Sequence, residues 1–137
     1  MGRITVNGLD ALMDDLSDLA KLPDSVIDGI LNAEADVIVE AQKRSAQKMG
    51  VHKTGVTMSS IKKGKVKKTG NDRSIIVSPQ GKNPSGARNA EVAFVNEYGK
   101  KGQPARPFIR TANEQAQAQA VEAGEKIYHA YLDKKNL

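Results

Sequence analysis

A stripe of residues at helical spacing, Phe108, Ala112, Ala116, Ala120, Ala123, Ile127 and Tyr131, runs through the last part of the chain, and four of its members are alanine. An apolar face with so little bulk needs close cover from a second element, a sheet or another helix. Pro107 can occupy a first helical position, so the spacing predicts a long helix that begins there and continues to the end. The Gln115 to Gln119 stretch (QAQAQ) reads as solvated, and Gly124 weakens the helix locally.

Two further helices are expected nearer the start. Leu9, Leu12, Met13, Leu16, Leu19 and Ala20 recur every three or four residues with Asp14, Asp15 and Asp18 between them, the pattern of a short amphipathic helix. Pro23 interrupts it. A second helix is predicted from about Asp24 to Met49, with Val26, Ile27, Ile30, Leu31, Val37, Ile38 and Ala41 as its apolar face. Glu34, Asp36, Glu40 and Lys43 are read as its wetter side. Gly50 is a suitable stop, and Lys43, Arg44 and Lys48 suit the negative pole.

Between Val51 and Pro84 the signal turns extended. Ile61 to Val66 and Arg73 to Ser78 are expected to pair as a hairpin around a turn at Thr69 to Asp72. Residues 79–90, with the polar run GKNPSGARNA, are expected to form an exposed and flexible loop. Glu91 to Tyr98 (EVAFVNEY) reads as a third strand, broken at Gly99. No repeat is visible. The expectation is one α+β domain over residues 1–137, with N-terminal helices including one long one, a small antiparallel sheet of about three to four strands, and a long C-terminal helix packed on the sheet.

Composition narrows the function. With 137 residues and only 4% aromatics the chain supports one modest core. It has no cysteine, so disulfides, thiolate metal sites and a cysteine nucleophile are excluded. The two histidines, His52 and His129, do not stand at ligand spacing, and no GxxxxGK[ST] phosphate loop occurs. No enzyme, metal or cofactor is therefore expected. No apolar run approaches the ~20 residues needed to cross a bilayer, and the start lacks a basic-then-apolar layout, so a soluble product of a cytoplasm is expected.

The net charge of +5 hides a strong asymmetry. Residues 1–42 carry two basic side chains against nine acidic ones, a balance of −7, whereas residues 43–73 carry ten against one, a balance of +9. The remainder contributes +3. Lys62, Lys63, Lys65, Lys67 and Lys68 cluster on the first strand and its turn. They suit either sequence-independent contact with DNA phosphates or an edge kept from unwanted strand pairing. No aromatic residue interleaves them to stack on bases, which disfavours a single-strand platform.

One segment carries a family resemblance. Val92 to Ala112 (VAFVNEYGKKGQPARPFIRTA) closely resembles the signature of siphophage tail-completion proteins, also described as minor tail or head-to-tail joining components. Its motif positions are Glu97, Tyr98, Gly99, Pro104, Ala105, Arg106, Pro107 and Phe108. Thr54, Gly55, Ser60 and Ile61 resemble a second family stretch, here without its leucine and one residue longer. In this signature a strand runs into the acidic-aromatic-glycine step, and Pro-Ala-Arg-Pro-Phe opens the last helix. On chemical grounds Gly99 suits a turn, the prolines stiffen it, Phe108 suits a core anchor, and Arg106 suits a partner such as Glu97 or carbonyls across an interface.

The resemblance implies a structural virion protein at the tail or neck, assembled in the bacterial cytoplasm. Its implied partners are tail terminator, head-completion and connector proteins and further copies of itself in a ring. A passing contact of the lysine hairpin with phage DNA fits that placement. The rival expectation is a small basic nucleic-acid-binding protein.

Overall fold

The computed structural model describes residues 22–51, 55–70 and 72–135, together with the backbone of residues 3–4. The amphipathic helix expected at Leu9 to Ala20, His52 and Thr54 lie outside the described residues. In chain order the elements are β1 (Arg3–Ile4), α1 (Asp24–Lys48), α2 (Val56–Ser59), β2 (Ile61–Lys63), β3 (Lys67–Thr69), β4 (Asp72–Pro79), α3 (Asn89–Tyr98) and α4 (Phe108–Lys134). This is an α+β arrangement with a small antiparallel sheet.

Helix α1 begins where Pro23 fixes the backbone and ends as Gly50 turns to a φ of 78°. A left-handed residue at this point lets the Val51 amide reach back to the Ala46 carbonyl at 2.7 Å, which satisfies an otherwise orphaned acceptor. The alanine stripe of α4 lies against α1, the most extensive contact between described elements. The buried row, however, is Ala112, Ala116, Ala120, Gly124 and Tyr128. It follows strict four-residue spacing, whereas the expected stripe stepped to Ala123, Ile127 and Tyr131. Ile127 is left 38% exposed, and Tyr128 takes the inner position beside Ile30.

Strand β4 occupies the middle of the sheet. It pairs antiparallel with β1 on one edge (Arg3 opposite Ile76) and with β2 and then β3 on the other (Ile61 opposite Pro79, Lys67 opposite Ser74). The expected hairpin is therefore present, with a feature the sequence did not announce. Between the Lys63–Val77 and Lys67–Ser74 pairs, residues 64–66 face only residues 75 and 76, which makes a β-bulge. The Gly64 amide keeps one bond across it, to the Ile76 carbonyl at 2.7 Å.

Period-two alternation buries Ile75, Val77 and Pro79 on one face of β4. Ile75 and Val77, with Ile61, share one core with Leu31, Ala35 and Ile38 of α1 and with Phe108, Ile109 and Ala112 of α4. A two-pronged bond from Arg73 to Asp28 (2.8 and 2.9 Å) ties the sheet to α1.

Two expectations are overturned. Residues 89–98 form helix α3, where a third strand over Glu91 to Tyr98 was expected. The β-branched and aromatic run VAFV favours extended backbone, but four-residue spacing sorts this segment better: Ala93 and Glu97 face inward, Phe94 and Tyr98 outward. Glu34, assigned to the wet side of α1, is only 3% exposed. It stands four residues from both Ile30 and Ile38, squarely in the apolar stripe.

Candidate functional site

The motif residues form a three-way joint between helices. The chain reaches α3 through a tight polar turn. The Asn83 side chain accepts bonds from the Ser85 and Ala87 amides (both 3.0 Å), and Asn89 donates to the Gln80 carbonyl at 2.8 Å. Residues 79–90 thus carry an internal hydrogen-bond network, although nearly all of their side chains between 80 and 88 are exposed.

At the far end of α3, Gly99 adopts φ 77° and ψ 176°, a backbone state essentially confined to glycine. A Cβ there would come within 2.8 Å of both the Ala105 nitrogen and the Gln103 oxygen. The turn it opens is closed by reciprocal backbone bonds between Lys100 and Gln103, each 2.9 Å. Pro104, Ala105 and Arg106 then run back past α3, with the Arg106 amide bonded to the Asn96 carbonyl.

Glu97 and Arg106 each hold a helix end. Pro107 offers no side-chain cap to α4, and the first turn of α4 contains no acid. Glu97 supplies both functions from α3: its carboxylate accepts the Ile109 amide at 2.8 Å and the Arg110 amide at 3.0 Å. A carboxylate at that position satisfies two orphan donors and meets the positive end of the helix dipole. Arg106 donates through Nη1 to the Gly50 carbonyl at 3.1 Å, just past the end of α1. The Glu97 carboxylate expected as a partner for Arg106 is engaged by the first turn of α4, and Arg106 meets a carbonyl of its own chain. Phe108 is fully buried and anchors the first turn of α4 in the core.

Truncating Glu97 to alanine should lower the unfolding free energy by about 2 kcal/mol, because it removes a helix cap and leaves buried amides unpaired. Urea unfolding followed by circular dichroism reads this directly. Beside the joint lies an open cleft of about 720 Å³, with Gly50, Val95, Asn96, Gln103 and Arg106 among its lining residues.

Tyr98 stands apart from its motif neighbours. It is 64% exposed and packs against Phe94, itself 54% exposed, with ring centroids 4.7 Å apart and planes tilted by 45°. Of the chain's five aromatic residues, Phe108 and Tyr128 are buried, so this solvent-facing pair is a large share of a small supply.

The lysine cluster divides between the two faces of the hairpin. Lys63 points with Ile61 toward α1 and pairs with Asp36 at 2.8 Å. Lys68 lies opposite Arg73, which is engaged with Asp28, so it shares that inner side. Lys62 and Lys67, opposite Ser78 and Ser74, share the outer face, and Lys65 is exposed in the bulge.

Sequence reasoning placed one titratable group on the wrong side of its helix and so missed its burial. Glu34 is seated on Gly124 of α4, where a Cβ would stand 2.5 Å from its Oε1 and 2.9 Å from Ile30 Cγ2. Burial, helped by the nearby charge of Glu125, pushes its carboxyl from 4.5 up to about 7. Gly124, a weak point by propensity, is what makes room for it.

Among the described residues no group of three or more histidine, cysteine, aspartate or glutamate side chains is placed to hold a metal ion. No described helix is long and apolar enough to cross a membrane. No protein-family model matches the chain, and neither a curated protein nor a solved structure matches it.

Proposed function

We propose that this chain is a non-enzymatic structural subunit of a long-tailed bacteriophage, a tail-completion or head-to-tail joining protein that works at the neck of the virion. The observation that carries the reading is the use of the motif. Glu97, Gly99, Arg106 and Phe108 are all consumed in fixing helix ends, so their chemistry is architectural, while the helix they orient holds Phe94 and Tyr98 out to solvent. Rigidly presented aromatic residues are what protein interfaces favour as anchors. The partners under this reading are other neck and tail proteins and further copies of the chain.

Electron microscopy of particles produced without this gene product tests the reading. Full heads beside unattached tails are expected, and intact, infectious particles would refute it.

A second reading, a basic nucleic-acid-binding protein, is favoured by one observation: Lys62 and Lys67 share an open sheet face, with Lys65 exposed beside them. Lysines so placed neutralise phosphates without reading sequence. If this reading holds, duplex DNA binding falls steeply with salt, and Lys62→Glu with Lys67→Glu flattens that dependence.

A further inference from the structure

The packing of α4 on α1 divides into two clusters. As far as Ala120 the stripe of α4 belongs to the main core shared with the sheet, whereas Tyr128 and Ile30 form a small separate cluster with Leu22, Val26 and Leu132. Glu34 and Gly124 stand at the boundary, each one turn from a member of either cluster. The helices approach there over a glycine on each side: a Cβ on Gly29 would meet Ile127 Cγ2 at 3.4 Å, and one on Gly124 would strike Glu34 and Ile30. Glycine is the weakest ordinary residue in a helix interior, so α4 is least restrained where the clusters part.

Two polar groups are buried at this boundary without a partner. Glu34 joins no hydrogen bond or ion pair among the described residues, and the Tyr128 hydroxyl has no hydrogen-bond partner either. Both would gain water if the helices parted. No surrounding charge helps the carboxyl to ionise in place. Of the elements packed on α1, α4 brings Glu125, which is of like sign. The sheet brings Arg73 from β4 and Lys63 from β2, but these are engaged by Asp28 and Asp36, and α2 carries no charged residue.

We propose that ionisation of Glu34 releases the end of α4, from Gly124 to Lys134, from the first turns of α1 while the main core and the motif joint stay folded. The carboxylate and the Tyr128 hydroxyl then reach water, and the apolar surfaces of Ile30 and Tyr128 are uncovered. A local opening of this kind is distinct from global unfolding and has its own free energy. Burial holds the closed carboxyl at about 7 against an ordinary 4.5, so each pH unit across that interval favours the open form about tenfold further. The device is shut in acid and loosest above neutrality. It stands apart from the assembly reading above and needs no partner to operate.

Amide hydrogen exchange on the full chain at pH 5 and pH 8, corrected for the intrinsic pH dependence of exchange and repeated in low urea, tests this against Glu34→Gln. In the parent, protection of residues 125–130 should fall on the order of a hundredfold between the two pH values. At pH 8 these amides should exchange through an opening that low urea scarcely accelerates, while those of residues 109–120 accelerate steeply, as global unfolding requires. Glu34→Gln should keep residues 125–130 as protected at pH 8 as at pH 5. Equal urea acceleration of the two segments overturns the proposal, because the end of α4 then opens only when the whole chain unfolds. Unchanged protection in the parent overturns it too, and an equal fall in Glu34→Gln assigns the opening to another group.

Discussion

Gly99→Ala is expected to lower the unfolding free energy by about 3 kcal/mol, more than any substitution of an exposed residue in the motif. Two costs combine. The backbone at φ 77° and ψ 176° is closed to a residue with a Cβ, and the added atom would press on the Ala105 nitrogen and Gln103 oxygen at 2.8 Å. Both obstacles are main-chain atoms, so no side-chain rotation relieves them. Relief requires the 100–106 segment to shift, which breaks the bond from the Arg106 amide to Asn96 and disturbs the seating of α4. The measurement is the midpoint of urea unfolding. By contrast, alanine at Gly102, with φ 82° but nothing within 4 Å, meets only the conformational cost and should be milder.

The second large effect is a pH dependence centred on Glu34. Its folded-state value of about 7 lies above the ordinary 4.5, so the unfolded state gives up this proton first as pH rises. The stability contributed by this group is fully present below about pH 4.5, declines through the interval between the two values, and is lost above about pH 7. At about 1.4 kcal/mol per pH unit, that interval corresponds to about 3 kcal/mol from this one group. Glu34→Gln, which keeps the shape and removes the charge, should flatten the decline and leave the variant more stable than the parent at pH 8. Unfolding free energies at pH 5 and pH 8 for both chains give the comparison. A parent as stable at pH 8 as at pH 5 would show that the carboxyl ionises without cost.

Much of this architecture was legible in the residues because punctuation and periodicity agree. Pro23 and Gly50 bracket α1, Pro107 precedes α4, and the Ile75–Val77 run marks β4. Helix α3 was not legible for a physical reason. Its composition favours a strand, and its helical state is held by contacts distant in sequence: Glu97 reaching α4, and Asn89 reaching back to Gln80. The same distance effect hid Glu34, whose burial depends on a glycine ninety positions later. The motif itself announced a joint. The sharing of its work, with Glu97 holding the start of α4 and Arg106 the end of α1, needed coordinates.

Under the structural-subunit function proposed above, the joint presents the outer face of α3, with Phe94 and Tyr98, for assembly. The direct measurement is complementation by a Phe94→Ala, Tyr98→Ala double variant, read together with its unfolding free energy. The rings are largely solvated, and their mutual contact contributes on the order of 1 kcal/mol, so stability should change by no more than that. Particle joining should nevertheless be lost, with heads and tails accumulating apart. Full infectivity from the folded double variant would contradict the claim and leave the exposed rings without a role in assembly.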